Sequence, residues 1–424
     1  MNDTNATPPH LDSRPTQIGG MTLEQSMTAL RMPPPPPPAI TAGEYEQRLE
    51  QARRLMRQRG DQAMLITAGS SLRYFSGIPW GASERLVAML LPLEGRPLLF
   101  CPAFEAGSLE RAQRIPADVR YWQEHDNPLA LVARAIAEKS VQRLAVDPAA
   151  PFDIYMRLHK ASPNTTCVNA RDVVEGCRMC KSEAELALMA HATALTLEVH
   201  RGVARAVHEG VGTAELRQFI DAAHQKLGAD GGFTFCIVQF GQATAYPHGI
   251  PGEQYLRADE LVLVDTGCTV QGYHSDITRC YIFGQPDAEQ QRIWNLEQAA
   301  QRAAFDAVRP GVTCEAVDRA ARDVIERAGL GPGYQLPGLP HRTGHGCGLD
   351  IHEAPYVVPG DTTPLQPGMC CSNEPMLVIP DTFGVRLEDH FYVTEDGAAW
   401  FTPPSPAIDR PFADPDPQES PESV

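Results

Sequence analysis

Five residues of this chain have the types and settings to do chemistry together. They are Asp265 (VDTG), Asp276 (HSDITR), His345 (GHGCG), Glu374 (SNEPM) and Glu388 (RLEDH). Each lies in an apolar or glycine-rich setting at the end of a strand-like run. Taken singly, a buried carboxylate is most often a helix cap or an ion-pair partner. Five in one region call for a joint explanation. Packed together as bare carboxylates they would repel, and some would take up protons. A pair of divalent cations removes that conflict. Four carboxylates and one imidazole are mostly hard oxygen donors, a set suited to Mn²⁺, with Co²⁺, Fe²⁺ or Zn²⁺ also compatible. Two such ions ~3.5–4 Å apart can activate a water and clamp a carbonyl.

The elements that must position these groups can be read from the surrounding pattern. Leu261 to Val264 is an uncharged, β-branched run entering Asp265, and Gly272 lies between Asp265 and Asp276. A hairpin over Leu261–Arg279 follows. Three strands are expected after His345, over Gly368–Asn373, Glu374–Ile379 and Val385–Val393. An internal repeat frames them. AVHEGVGTAEL (206–216) matches AVRPGVTCEAV (307–317), with Gly210 and Gly311 standing 101 positions apart and Gly228 and Gly329 again 101 apart. Each copy reads as helix, turn, N-capped helix and glycine stop, and each leads to one His-Gly pair, at His248-Gly249 and His345-Gly346. A period this long indicates a duplication rather than a solenoid. Two related halves create a cleft, and a site drawing on both would lie there.

Before the repeat, Ala63–Ile66, Leu86–Leu91, Pro97–Cys101 and Leu144–Val146 read as strands. They are interleaved with helices over Leu129–Glu138 and Phe152–Leu158, an α/β pattern. Thr41 and Ser182 stand at capping positions, each with a Glu three residues on. The chain therefore divides into a Pro-rich tail over 1–40, an α/β domain over 41–175, a duplicated domain over 176–405 and an acidic tail over 406–424. Both tails are expected to be disordered, although Thr22–Met32 has the makings of a short docking helix.

Composition narrows the function. A net charge of −17 argues against nucleic acid and anionic membrane as partners. No run approaches the ~20 apolar residues of a membrane span, and the N-terminus has neither a basic start nor an apolar segment of the secretory kind. Eleven cysteines, an odd number scattered through apolar contexts, read as reduced residues of a cytoplasmic protein. Cys177 and Cys180 form a lone CxxC without a second pair at zinc-site spacing.

The ordered set D-x-G, S-D-x-T-R, G-H-G-x-G, E-P and R-x-E-D resembles that of the creatinase/prolidase family of pita-bread metallopeptidases. This family includes aminopeptidase P, proline dipeptidase and methionine aminopeptidase. The likeness covers about 41–405, and its specific motifs lie between 240 and 390. It implies a creatinase-like N-terminal α/β domain and a duplicated pita-bread catalytic domain. It further implies two divalent metal ions, most simply Mn²⁺. Asp265 would be the terminal ligand of one, Asp276 and Glu388 the bridging ligands, and His345 and Glu374 the ligands of the other.

The implied nucleophile is a hydroxide or water between the metals, with Glu374 as proton shuttle. His248 and His352 match substrate-contacting histidines, and His341 matches another active-site histidine. Arg386 matches an arginine close to either the proline-side carboxylate or the metal carboxylates. His274 has no matched role, and Tyr246 could line the pocket or simply pack.

The substrate class implied is a short peptide, cut at the bond preceding proline. FGQATAYPHGIPG (Phe240–Gly252) resembles the proline-specific members, as does the N-terminal domain. Within that group a dipeptidase (prolidase) is preferred, from the modest N-terminal domain and the GHGxG form. An aminopeptidase P is the alternative, with a non-peptidase hydrolase or an inactive binding module behind it. A homodimer is the implied assembly. One departure stands out. Proline-specific members usually read E-P-G-x-Y, whereas this chain reads EPMLV, with Met376 for the glycine and Val378 for the tyrosine.

Overall fold

The computed structural model describes residues 17–413. Its N-terminal unit is a six-stranded mixed sheet, ordered Asp118–Trp122, Leu98–Pro102, Ala88–Pro92, Ala63–Thr67, Arg143–Val146 and Thr166–Asn169. The central strand Ala63–Thr67 pairs antiparallel with Ala88–Pro92 and parallel with Arg143–Val146. Every residue of Ala63–Thr67 is buried, because helices cover both faces. This explains an uninterrupted apolar run in place of alternation. Thr41 caps the helix Ala42–Arg59, accepting from the Glu44 amide at 3.2 Å. The reciprocal half of the expected capping box is absent, since the Glu44 carboxylate is engaged by Arg48 (2.7 Å) and Ser182 (2.7 Å). At Ser182 and Glu185 both halves form.

The second unit repeats itself in hydrogen bonds as well as in sequence. Helices Glu183–Ala206 and Thr213–Leu227 lead to a three-stranded sheet whose middle strand is Glu260–Gly267, flanked by Phe235–Phe240 and Ile277–Phe283. Helices Ala288–Ala307 and Cys314–Arg327 lead to a five-stranded sheet of Glu353–Val357, Gly344–Gly346, Cys370–Asn373, Asp389–Val393 and Ala398–Trp400. In one half Gly210 donates to Leu256 O at 2.7 Å and Leu256 returns to Val211 O at 3.0 Å; in the other Gly311 donates to Leu365 O and Leu365 returns to Val312 O, both at 2.8 Å. The two sheets meet where Glu388 donates its amide to Thr278 O at 3.1 Å.

Three expectations need correction. The tail over 1–40 was expected to be disordered, yet residues 17–40 pack on the second unit. Thr22 and Gln25 form a complete capping box for the helix Leu23–Thr28, Ser26 donates to Gly202 O at 2.7 Å, and Leu30 is buried. The bare Gly202 admits this contact, since a Cβ there would meet Leu30 at 2.8 Å. The proline run supplies an acceptor, Pro37 O, to Gln271 at 3.3 Å. The start of the expected acidic tail is likewise packed: Ile408 and Phe412 are buried, and Gln17 exchanges two hydrogen bonds with the Phe412 backbone. The expectations for 1–16 and 414–424 lie outside the described residues. The single strand expected over Val385–Val393 is also two strands. Phe383–Arg386 closes a hairpin with Met376–Ile379, and Asp389–Val393 joins the larger sheet. The break at Leu387–Glu388 is held by Glu297, which accepts the Leu387 amide at 3.1 Å.

All eleven cysteines are unpaired. Among the described residues, no helix is long and apolar enough to cross a membrane.

Candidate metal centre

The hairpin that carries Asp265 and Asp276 is kinked between them. Glu260–Gly267 and Ile277–Phe283 run antiparallel, with Asp265 opposite Thr278. Beyond Gly267 the chain leaves that sheet and makes a separate short pair, Thr269–Val270 with Tyr273–His274. Gly267 is required at the kink because a Cβ there would lie 1.9 Å from Ser275 O. The Ser275 hydroxyl accepts the Cys268 amide at 2.9 Å and pairs with Thr196 at 2.8 Å, which fixes the residue before Asp276. The glycines around His345 have the same origin. A Cβ at Gly344 would lie 2.0 Å from Ser372 O, so only glycine lets the neighbouring strand approach.

These elements bring all five predicted donors together. Asp265, Asp276, His345 and Glu388 are buried, and Glu374 is nearly so. His345 Nε2 lies 3.0 Å from Glu374 Oε1 and 3.8 Å from Asp276 Oδ2. Donor atoms of His345, Glu374 and Glu388 lie within 4.8 Å of one another, as do those of Asp276, His345 and His352. Thr278 donates to Glu388 Oε2 at 2.7 Å, and Ser372 to Glu374 Oε1 at 3.1 Å.

Whether this set fits a metal pair can be judged from its unmatched electrons. Asp265 Oδ1 and Glu388 Oε1 are buried without a hydrogen-bond partner. His345 Nδ1 lies 3.0 Å from Gly346 O, which can only accept, so Nδ1 carries the proton. In neutral His345, Nε2 then offers a lone pair toward the Glu374 carboxylate, which is also an acceptor. Such an arrangement calls for a cation between them, and the donor set fits one.

The electrostatics agree. Burial, with the charges of Glu388, Asp265 and Glu374, pushes Asp276 well above the usual carboxylate range. Glu388 is pushed up by burial and by Glu374 and Asp265. Burial also raises Asp265, although Arg386 opposes it. Glu374 runs the other way. Burial opposes its charge, but the neighbouring groups His345, His341 and Arg386 hold it well down.

The remaining predicted residues divide. His352 is exposed at its outer edge, with its ring centroid 4.1 Å from that of His345; partial desolvation of its inner side, with the charges of His345 and Arg342, brings its pKa down to about 4. His248 is exposed and lines a cavity of about 690 Å³ together with Arg217, Phe233, Ile237, Ile250 and Glu253. Ile237 stands opposite Asp265 in the sheet, so the cavity lies one strand away from the carboxylate cluster. His341 presents a buried, unpartnered Nε2, and its Nδ1 meets Arg342 O at 2.6 Å. Burial depresses its pKa.

Arg386 is buried and fully engaged, bonding Asp265, Thr278 Oγ1 (3.1 Å) and Pro247 O (3.2 Å). Of its two expected placements it takes the one beside the clustered carboxylates, at Asp265. Tyr246 is 42% exposed. His274 holds the hairpin against the His345 loop through its amide, which donates to Gly348 O at 2.8 Å. Val378 is buried, and its backbone pairs both ways with Gly338.

Sequence reading missed Thr278, Ser372 and a charged cluster behind His352. There Lys181 bonds Glu353 at 2.6 Å and Arg178 bonds Asp350 at 2.8 Å. The D-I-T-R and C-C-S-N strings hold the first two in plain view, but only strand register shows which way their hydroxyls face.

Comparison with known proteins adds the context. The model of metallopeptidase family M24 matches residues 187–395, and that of the creatinase/prolidase N-terminal domain matches 48–180. The probable dipeptidase PepE of Mycobacterium tuberculosis is 37% identical over 359 residues, covering 84% of this chain and 93% of the relative. Among solved structures, dipeptidase PepE from Mycobacterium ulcerans superposes with a TM-score of 0.79 at 37% identity, covering 86% of this chain and 97% of the other. The recombinant prolidase from Thermococcus sibiricus gives a TM-score of 0.78 at 28% identity over 85% and 97%.

Proposed function

This chain belongs to metallopeptidase family M24, and from that premise we propose that it is an Xaa-Pro dipeptidase, hydrolysing the bond before proline in short peptides. The observation that carries the reading is the complete donor cluster, with its unmatched lone pairs, beside a cavity that His248 lines. At about 690 Å³ that cavity is within the range of small-ligand pockets. Prolidases stand among the structural relatives, while a curated relative such as the probable dipeptidase PepE carries no stated substrate.

In this reading Asp265 would hold one ion, Asp276 and Glu388 would be shared between the two, and His345 and Glu374 would hold the other. Two divalent ions bound there, Mn²⁺ by the hardness of the donors, supply Lewis acidity toward a peptide carbonyl and lower the pKa of a bound water. The chain's own groups do the rest. Arg386 keeps Asp265 oriented and charged. Glu374, anchored by Ser372, is placed to accept a proton from water and pass it to the leaving proline nitrogen. His248 and His352, both exposed beside the cluster, would steady the carbonyl oxygen, with His341 behind them. Burial of the cluster keeps bulk water away and strengthens each of these contacts.

A panel of Ala-Pro, Leu-Pro, Leu-Pro-Gly and Ala-Leu, assayed with Mn²⁺, Co²⁺ and Zn²⁺, tests the proposal. Faster turnover of the two Xaa-Pro dipeptides supports it. Equal or faster turnover of Leu-Pro-Gly makes the protein an aminopeptidase P, and preference for Ala-Leu makes it a dipeptidase of another specificity.

A further inference from the structure

One imidazole on the cluster's face is unused by the reading above. His390 is fully buried, and neither ring nitrogen has a hydrogen-bond partner. A neutral imidazole carries one N–H and one lone pair, and leaving a buried polar group unmatched is costly. An imidazole orphaned at both nitrogens is therefore a group built for something absent from the protein itself.

The strand explains where it points. Successive side chains alternate faces. Asp389 turns to the far side, where it pairs with Arg279 at 2.6 Å and accepts from Thr402. Glu388 and His390 therefore share the near side. The cross-strand neighbour of His390 is Ser372, the residue that accepts the His345 amide and donates to Glu374. Donor atoms of Asp276, Glu388 and His390 lie within 4.8 Å of one another, yet no hydrogen bond joins His390 to either acid. Groups spaced this way converge on a common point rather than on each other. Ligands of one transition-metal ion, with bonds of about 2.0–2.2 Å, have that kind of separation.

We propose that His390 is an additional ligand of the metal pair, supplying a second imidazole on the side of Asp276 and Glu388. The inference rests on the metal-centre reading and sharpens it. A second nitrogen donor makes the set less purely oxygen and moves its preference from Mn²⁺ toward Co²⁺ or Zn²⁺.

The test uses the full chain loaded with Co²⁺ alone. X-ray absorption counts imidazoles per metal pair, and calorimetric titration of stripped protein gives stoichiometry and affinity. Two imidazoles per pair in the unaltered protein support the inference. A count falling to one in His390→Phe, with at least about tenfold weaker binding of one ion, supports it further. His345→Ala should lower the count by one in the same way, and His390→Gln serves if the phenylalanine variant does not fold. A count of one in the unaltered protein overturns the inference while leaving the metal centre standing, even if His390 proves to orient a carboxylate. Failure to bind Co²⁺ stoichiometrically overturns the metal-centre reading and this inference with it.

Discussion

At the scale of single residues, the site is a set of acids held in an environment that favours their neutral forms. Asp276, Glu388 and Asp265 all stand above the ordinary carboxylate range through burial, with mutual charge adding to it. Such groups bind protons more tightly folded than unfolded. Their contribution to metal-free stability is fully present below their unfolded values of about 4 and is lost as pH rises through the raised values. Glu374 runs the opposite way, one group against three. Metal requires all of them deprotonated, so binding releases protons and strengthens with pH. Calorimetric melting of loaded and EDTA-treated protein at pH 5.5 and pH 8 should therefore show a gap in Tm that widens at the higher pH. A constant gap would mean that these acids do not share the metal. Replacing Asp276 or His345 with Ala should lower kcat/KM by more than about 100-fold, since even outer-shell partners of metal ligands are worth 10–100-fold. Circular dichroism should show the fold retained. These five residues were legible because glycine, acid and imidazole types fall at strand ends in a fixed order. His390 was not, because its direction depends on the break at Leu387–Glu388 that splits one expected strand into two.

At the scale of elements, two attachments hold the catalytic face in place from outside it. The first is the group of Lys181, Arg178 and Glu353, with Asp350 at its half-exposed edge, which ties the segment joining the two units to the loop bearing His352. Breaking a buried pair by removing one partner costs on the order of 3 kcal/mol. Lys181→Met should lose about that much in urea unfolding, less whatever Arg178 recovers by holding Glu353 alone. The second attachment is the helix Leu23–Thr28 with Leu30, seated over Gly202. Leu30→Ala should destabilise by about 2–3 kcal/mol in the same measurement, with kcat on dipeptides unchanged because the contact lies away from the cluster. This helix was only half legible. Its Thr22–Gln25 cap is visible in the sequence, but a six-residue helix beside a proline run has no stability of its own. Only the groove at Gly202 decides that it docks. The interior strands were easier, because a run such as Ala63–Thr67, buried on both faces, permits no other reading in an α/β pattern.

At the scale of the whole molecule, duplication explains why the ligands come from distant parts of the chain. Each half contributes a helix pair and a sheet, and matching backbone hydrogen bonds at Gly210 and Gly311 show the same turn used twice. Asp265 and Asp276 belong to one half, and His345, Glu374 and Glu388 to the other, so the metal pair would join the two sheets where Thr278 meets Glu388. The core of the N-terminal unit is continuous with that of the first half, through residues such as Met56, Phe75, Leu188 and Val264. Light scattering should give the mass of a homodimer, the assembly expected for this chain. The central claim is that hydrolysis depends on two metal ions held by this cluster. It is tested most directly by titrating metal-stripped full-length protein with Mn²⁺ while following Leu-Pro cleavage. The account requires no turnover without metal and a rise that saturates at two ions per chain; full turnover in metal-free buffer, unchanged by added Mn²⁺, would contradict it.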